Sequence, residues 1–149
     1  EIPAGKRGPL MRKLAREYAF KLIFEYLFLK EYEEDTMLGF LEDTNLNEAD
    51  RNYIKEVYFG VTRDFPQLYE KLSGYLQNFR ADRIFKPDLA ALILACYEIF
   101  EREDIPEAVS VNEAVELCKR YGTEKSPSFV NGILASVLRD KPAAGKAED

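Results

Sequence analysis

Six basic side chains stand close together near the start of this chain. Between residues 6 and 21 the sequence carries six Lys or Arg residues and one acid, although the whole chain of 149 residues has a formal net charge of −6. The basic residues are Lys6, Arg7, Arg12, Lys13, Arg16 and Lys21. Such a cluster can bind an anion, with the phosphates of RNA or DNA as the first candidates. An ordinary solvated helix surface is the alternative interpretation.

Helical geometry separates these residues into two groups. At about 100° per residue, Arg16 lies about 40° and Lys13 about 100° from Arg12, whereas Lys21 lies about 180° away. Apolar residues follow further along the same face and must pack on a core. Because burial of an unpaired guanidinium is costly, we expect the first turns to lie at the rim of the core. They would then present Arg12, Lys13 and Arg16 to a partner.

The composition argues against catalysis. The chain contains no histidine, which removes the commonest general base and metal ligand and every Ser-His or Cys-His nucleophile arrangement. No glycine-rich phosphate loop is present. The two cysteines, Cys96 and Cys118, lie in apolar helical patterns without metal-like spacing, so we expect buried thiols. The sequence predicts no enzyme activity, no metal and no cofactor.

The elements that must position the basic residues are helical throughout. Helix formers and apolar residues at helical spacing predict about seven helices in one all-α domain, with the apolar stretch from Pro87 to Arg102 at its centre. We assign residues 1–10 to a flexible leader or a remnant, residues 11–140 to the domain and residues 141–149 to a disordered tail. Without an apolar run of about 18 residues or a secretory signal, we expect a cytoplasmic protein.

Local signals predict where several helices begin and end. In chain order they are the N-cap Asn47, a helix start or kink at Pro66, the capping box Ser110–Glu113, the stop Gly122, and the N-cap Ser126 followed by Pro127. Asn131 and Gly132, in the last helix, are interpreted as residues that allow two helices to approach closely.

Two stretches resemble the NusB family of bacterial transcription antitermination factors. The first is RKLAREYAFKLIF, residues 12–24, in which a basic run leads into an apolar helix. The second and more specific is YEIFEREDIPEAVSVNEAVELCKRYGTEKSPSFVNGIL, residues 97–134. The resemblance covers about residues 11–139, although residues 34–80 match only in helical pattern. It implies an all-α fold of two packed helical subdomains.

The resemblance also implies a function. NusB-like proteins bind boxA-type single-stranded RNA together with a small-subunit ribosomal protein that acts as NusE, and this complex makes RNA polymerase resist termination on ribosomal RNA operons. They are not enzymes, and some of them self-associate as homodimers. The alternative is a helical protein-interaction module of the same fold that lacks sequence-specific RNA binding.

Matching positions suggest which residues would carry this function. The RNA-binding residues would be Arg12, Lys13, Arg16, Tyr75, Lys125 and Phe129, and the partner-binding residues Phe24 and Glu98. The competing interpretation for the three aromatic residues, Phe24, Tyr75 and Phe129, is packing in the core. For Glu98 it is an ordinary acid on a helix surface. The sequence departs from the family pattern in four places. The central helix lacks an Arg that is common there, and Lys125 stands where an acid or amide is usual. NFRADRIF, residues 78–85, replaces the usual Trp or its equivalent before the central helix, and Ala135 stands where Asp is common.

Overall fold

The structure, a computed structural model, describes the backbone of residues 4–76 and 79–141, and within these ranges the side chains from residue 12 onward. This part of the chain forms seven α-helices and one short 3₁₀ turn, with no strand. The helices are α1 (Ala4–Leu29), α2 (Glu34–Leu41), α3 (Glu48–Arg63), α4 (Phe65–Ser73), α5 (Lys86–Glu101), α6 (Glu107–Tyr121) and α7 (Ser126–Asp140), and the 3₁₀ turn is Ala81–Arg83. The predicted all-α fold is confirmed. None of the described helices is both long and apolar enough to cross a bilayer.

The chain divides into two compact units between Arg63 and Asp64. In the first unit α1 packs mainly on α3, and α2 contacts both helices. Its core consists of Ala15, Ala19, Phe20, Leu22, Ile23, Leu27, Met37, Leu46, Tyr53, Ile54, Val57, Tyr58 and Val61. The predicted N-cap at Asn47 is confirmed, because its Oδ1 accepts the backbone N–H of Asp50 at 2.8 Å. This bond satisfies one of the donors left open at the start of α3.

In the second unit α5 lies at the centre and contacts α4, α6 and α7. Every residue from 88 to 99 is buried. The apolar run of this helix therefore predicts its position correctly, since a helix that is apolar nearly all round must be covered on all sides. Pro66 falls at the first positions of α4, so it marks a new helix rather than a kink.

The predicted capping box is wrong, because α6 begins one turn earlier than expected. Pro106 is the N-cap and Glu107 the first helical residue. Ser110 is instead buried inside the helix and donates its hydroxyl to Glu98 of α5 at 2.7 Å. The buried carboxylate of Glu98 needs a hydrogen-bond donor. Ser110 supplies it from inside α6 and therefore does not cap the helix.

Ser126 has a similar role and is likewise not an N-cap. The N-cap of α7 is Lys125, while the Ser126 hydroxyl accepts the Thr123 N–H at 2.9 Å and donates to Asp88 of α5 at 3.0 Å. Gly122 ends α6 as predicted. A glycine is needed here for a steric reason, because a Cβ at this position would lie 2.5 Å from the hydroxyl oxygen of Ser126.

Two further expectations differ from the structure. α1 begins at Ala4 and so runs through most of residues 1–10, the segment assigned to a flexible leader or a remnant. Asn131 and Gly132 are exposed, and a Cβ on Gly132 would meet open space, so no close helix approach occurs there. The predicted disordered tail lies outside the described residues from residue 142 onward.

Candidate nucleic-acid interface

Arg12 is held by α3. Its Nε donates to Oδ1 of the buried Asp50 at 2.8 Å, and its guanidinium carbon lies 4.6 Å from the centre of the Tyr53 ring. Asp50 is itself placed by its backbone bond to Asn47. The Arg12 side chain stays partly exposed, and a guanidinium carries four further N–H groups besides Nε. This residue is thus a positioned donor at the surface of the first unit.

Arg16 is buried, contrary to the expectation that all three basic residues face a partner. The residue is only 4% exposed, and its guanidinium carbon lies 5.6 Å from the centre of the Tyr53 ring. The aromatic face offsets part of the desolvation cost, since a guanidinium is weakly hydrated and stacks well on rings. Arg16 therefore contributes to the packing of α1 on α3, rather than presenting a phosphate-binding group.

Lys13 and Lys21 are exposed on different parts of α1. Lys13 is exposed, next to the partly buried Arg12. Lys21 lies 3.9 Å from Glu17, one helical turn earlier, which fits the predicted solvated position away from the basic group. Of the three predicted RNA-binding residues on α1, Lys13 is exposed, Arg12 is partly exposed and Arg16 is buried.

The second unit presents an aromatic pair. Phe129 of α7 is half-buried and meets Phe79 edge to face, with ring centres 5.3 Å apart. Phe79 is 56% exposed. Lys125 is exposed one turn before Phe129, and Arg80 beside Phe79 is exposed and paired with Asp82 at 2.9 Å. Exposed rings next to cations are the arrangement that stacks nucleobases and binds the backbone of a single strand.

Sequence reasoning missed Phe79. Its spacing after Leu72 and Leu76 continues an apolar helical period, but α4 ends at Ser73. Phe79 therefore stands outside the helix and leaves much of its ring in solvent. Its position next to Arg80 in an otherwise charged loop is the one sequence signal that favours exposure.

Tyr75 is half-buried and its hydroxyl is bonded to Asp140 at the end of α7. Burial, and then this bond, raise the pKa of Tyr75 above its usual value. The hydroxyl thus links the loop after α4 to α7, which supports a packing role for this residue. The structure does not bring the Tyr75 hydroxyl into the Phe79–Phe129 contact.

The two predicted partner-binding residues differ sharply in exposure. Phe24 is half-buried in a row of rings on α1, with centres 6.4 Å from Phe20 and 5.1 Å from the exposed Phe28. Glu98 is fully buried and accepts the Ser110 hydroxyl. The structure fits neither interpretation of Glu98, as a partner-binding residue or as a surface acid, because its carboxylate lies inside the second unit.

Both cysteines are buried, as predicted. Burial raises the pKa of each thiol to about 12, so Cys96 and Cys118 are protonated at neutral pH and are poor nucleophiles. Among the described residues no group of His, Cys, Asp and Glu side chains could hold a metal ion. The basic and aromatic side chains described above are groups that can bind a polyanion.

Comparison with known proteins agrees with this chemistry. The model of the NusB family matches residues 13–139. The transcription antitermination protein NusB of Acetivibrio thermocellus is 42% identical over 130 residues, which cover 87% of this chain and 90% of that protein. The protein of the same description from Clostridium botulinum strain Alaska E43 is 39% identical over 130 residues, covering 86% and 98%.

Solved structures show the same fold. The structure of T. maritima NusB superposes with a TM-score of 0.83 at 30% identity, covering 93% of this chain and 97% of that one. A complex of the antitermination factors NusB and NusE with dsRNA matches in fold with a TM-score of 0.76 at 24% identity, covering 87% and 96%. With a family match over most of its length and relatives well above 30% identity, this chain belongs to the NusB family.

Proposed function

We propose that this protein is a cytoplasmic, RNA-binding transcription antitermination factor. It binds boxA-type single-stranded RNA together with the ribosomal protein that acts as NusE, and the complex modifies termination by RNA polymerase on ribosomal RNA operons. The observation that carries the proposal is the 42% identity to a transcription antitermination protein over most of both chains. Binding, not catalysis, is the activity.

Each unit contributes one group of RNA contacts in this proposal. In the first unit, Lys13 supplies an exposed positive charge and Arg12 supplies oriented N–H donors to a phosphate. An arginine can donate two parallel hydrogen bonds to one phosphate, whereas lysine acts as a point charge. Arg16 supports these residues from within, because it shares the Tyr53 ring with Arg12.

In the second unit the Phe79–Phe129 pair would stack on an unpaired base, and Lys125 would contact the neighbouring phosphate. The edge-to-face contact holds the Phe79 ring before RNA arrives, so less side-chain freedom is lost on binding. Lys125 replaces an acid or amide that is common in the family. A lysine at this position increases the attraction for phosphate and removes a repulsive charge.

The experiment is a titration of labelled boxA-type RNA with the full chain and NusE at several salt concentrations. Each phosphate contact changes the slope of log affinity against log salt by about 0.7 for a single strand. We expect Lys13→Gln and Lys125→Gln each to reduce the slope by about that amount. Lys119→Gln is the control, because Lys119 is also an exposed lysine and pairs with Glu116 at 3.1 Å.

Equal slopes for the parent, Lys13→Gln and Lys125→Gln would show that these lysines do not contact RNA phosphates. Capture of NusE without any preference for a boxA-type strand would instead support the protein-interaction module and overturn the proposed function.

A further inference from the structure

A second exposed aromatic surface lies in the first unit, on a part of it that the proposed RNA contacts do not use. Phe59 of α3 is 53% exposed, and Tyr32, in the loop between α1 and α2, is also exposed. Their rings meet edge to face with centres 6.4 Å apart. We refer to these two residues as the Tyr32–Phe59 patch. Large apolar rings left in solvent side by side are typical of interaction sites.

The fold holds Tyr32 in place. Its ring stacks on the buried Tyr58 with centres 4.5 Å apart, and its hydroxyl donates to the Met37 sulfur at 3.5 Å. The Tyr58 hydroxyl in turn accepts the Glu33 N–H at 2.7 Å. Lys30, just after α1, adopts a left-handed backbone with φ of 60°, a conformation that non-glycine residues seldom adopt. The chain is thus turned so that Tyr32 lies against α3.

Acidic residues flank Tyr32 in the sequence. Tyr32 stands within the run Glu31, Tyr32, Glu33, Glu34, Asp35, and all four acids are exposed or half-exposed. Glu34 lies close enough to Tyr32 to add to the effect of burial, which is the larger cause, in raising the pKa of Tyr32. One cation is already close, since the Arg63 guanidinium carbon lies 5.5 Å from the centre of the Phe59 ring. The patch is therefore aromatic, and the segment of residues 31–35 that carries Tyr32 is acidic.

We propose that the Tyr32–Phe59 patch docks a basic segment of a partner protein, with an apolar side chain on the two rings and Lys or Arg side chains against the acids of residues 31–35. Charge complementarity selects this occupant. Phosphates of RNA and anionic lipid headgroups would be repelled by the same acids. A symmetric contact between two copies would place identical acidic surfaces face to face, which is unfavourable.

Three short fluorescent peptides test the proposal on the full chain by fluorescence anisotropy. One alternates Lys with Leu, one Lys with Ser, and one Glu with Leu. We expect the Lys-Leu peptide to bind most tightly, because only it offers both the apolar and the basic groups. Phe59→Ser should weaken its binding about ten-fold, a loss typical of an exposed aromatic anchor.

Phe85→Ser is the matched control, since Phe85 is 51% exposed and lies in the other unit. It should leave the affinity unchanged. Glu34→Lys is the second variant, which keeps both rings and should also weaken the Lys-Leu peptide. Circular dichroism establishes that each variant is folded.

Three results would overturn the proposal. Equal losses for Phe59→Ser and Phe85→Ser would show that the peptide does not use the patch. Equally tight binding of the Glu-Leu peptide would show that the acids of residues 31–35 do not select a basic partner. Self-association of the parent in sedimentation experiments that Phe59→Ser abolishes would identify a second copy of the chain as the occupant.

Discussion

Arg12 donates its Nε–H to the buried carboxylate of Asp50 at 2.8 Å, and the same guanidinium lies over the Tyr53 ring. Both contacts come from α3, the helix on which α1 packs. Opposite charges in contact largely cancel at a distance. Arg12 therefore offers directed N–H donors more than long-range attraction.

The Arg12–Asp50 contact should matter for stability. We expect Asp50→Asn to lower the free energy of unfolding by about 1–3 kcal/mol, because a buried charge-assisted hydrogen bond is weakened. Urea unfolding of the full chain measures this. Asp104→Asn is the control: Asp104 accepts from Arg102 at 2.8 Å but is exposed, and its loss should cost less than about 1 kcal/mol. Equal losses of unfolding free energy for the two variants would show that burial does not strengthen the contribution of Asp50 to stability.

Arg16 and Lys13 should separate stability from RNA binding. We expect Arg16→Gln to lower the free energy of unfolding by about 1–3 kcal/mol, since it removes a buried guanidinium from the Tyr53 ring. Lys13→Gln should change it by less than about 0.5 kcal/mol. Thermal or urea unfolding of both variants provides the comparison. If Arg16→Gln were as stable as the parent, the buried position of Arg16 would be in error.

Tyr18 and Asp43 should shape the pH dependence of stability. Tyr18 donates its hydroxyl to Asp43, and this bond raises the pKa of Tyr18 to about 12 and lowers the pKa of Asp43. The Asp43 contribution is present above the unfolded carboxyl pKa of about 4, and it is lost as pH falls through the lower folded value. The Tyr18 contribution is present below about pH 10 and is lost as pH rises towards 12.

The variant Tyr18→Phe should therefore be less stable than the parent by a constant amount at intermediate pH. The difference in unfolding free energy should shrink both in acid and above about pH 10. Urea unfolding across this range is the measurement. A difference that does not vary with pH would mean that the hydrogen bond does not couple to either titration.

Phe79 should contribute to RNA affinity without supporting the fold. Loss of one stacked ring costs about 1–3 kcal/mol, which is roughly a 5- to 150-fold weaker affinity. We expect Phe79→Ala to show this loss in RNA titrations, while its unfolding free energy stays near that of the parent. Phe85→Ala, which removes an equally exposed ring, should bind normally. Similar effects of the two variants would indicate a general loss of surface apolar area.

The sequence predicts those features that depend on neighbouring residues. The continuous apolar stretch of α5 places that helix at the centre, and Asn47 caps α3, because both signals act within one helix. The features that were predicted wrongly depend on distant partners. The sequence around Ser110 is typical of a helix cap, but in the structure its hydroxyl donates to Glu98 of the preceding helix.

Arg16 shows the same limit within the candidate site. A basic residue in the first turns of a surface helix is expected to be accessible, but Arg16 packs against the Tyr53 ring of α3 and is buried. Tyr53 reaches Arg16 because α1 packs on α3. A contact between two separate helices cannot be predicted from the sequence around Arg16 alone. Phe79 was overlooked for a related reason, since its exposure depends on where α4 ends and on its contact with Phe129.

The most direct measurement of the central claim is competition between a boxA-type RNA and a scrambled strand of equal length for the complex of this chain with NusE. Fluorescence anisotropy at physiological salt reports both affinities. Sequence-specific recognition predicts at least about ten-fold tighter binding of the boxA-type strand, the discrimination that about 1.4 kcal/mol of base contacts provides. Equal affinity for the two strands would contradict the claim that this protein is a specific RNA-binding antitermination factor.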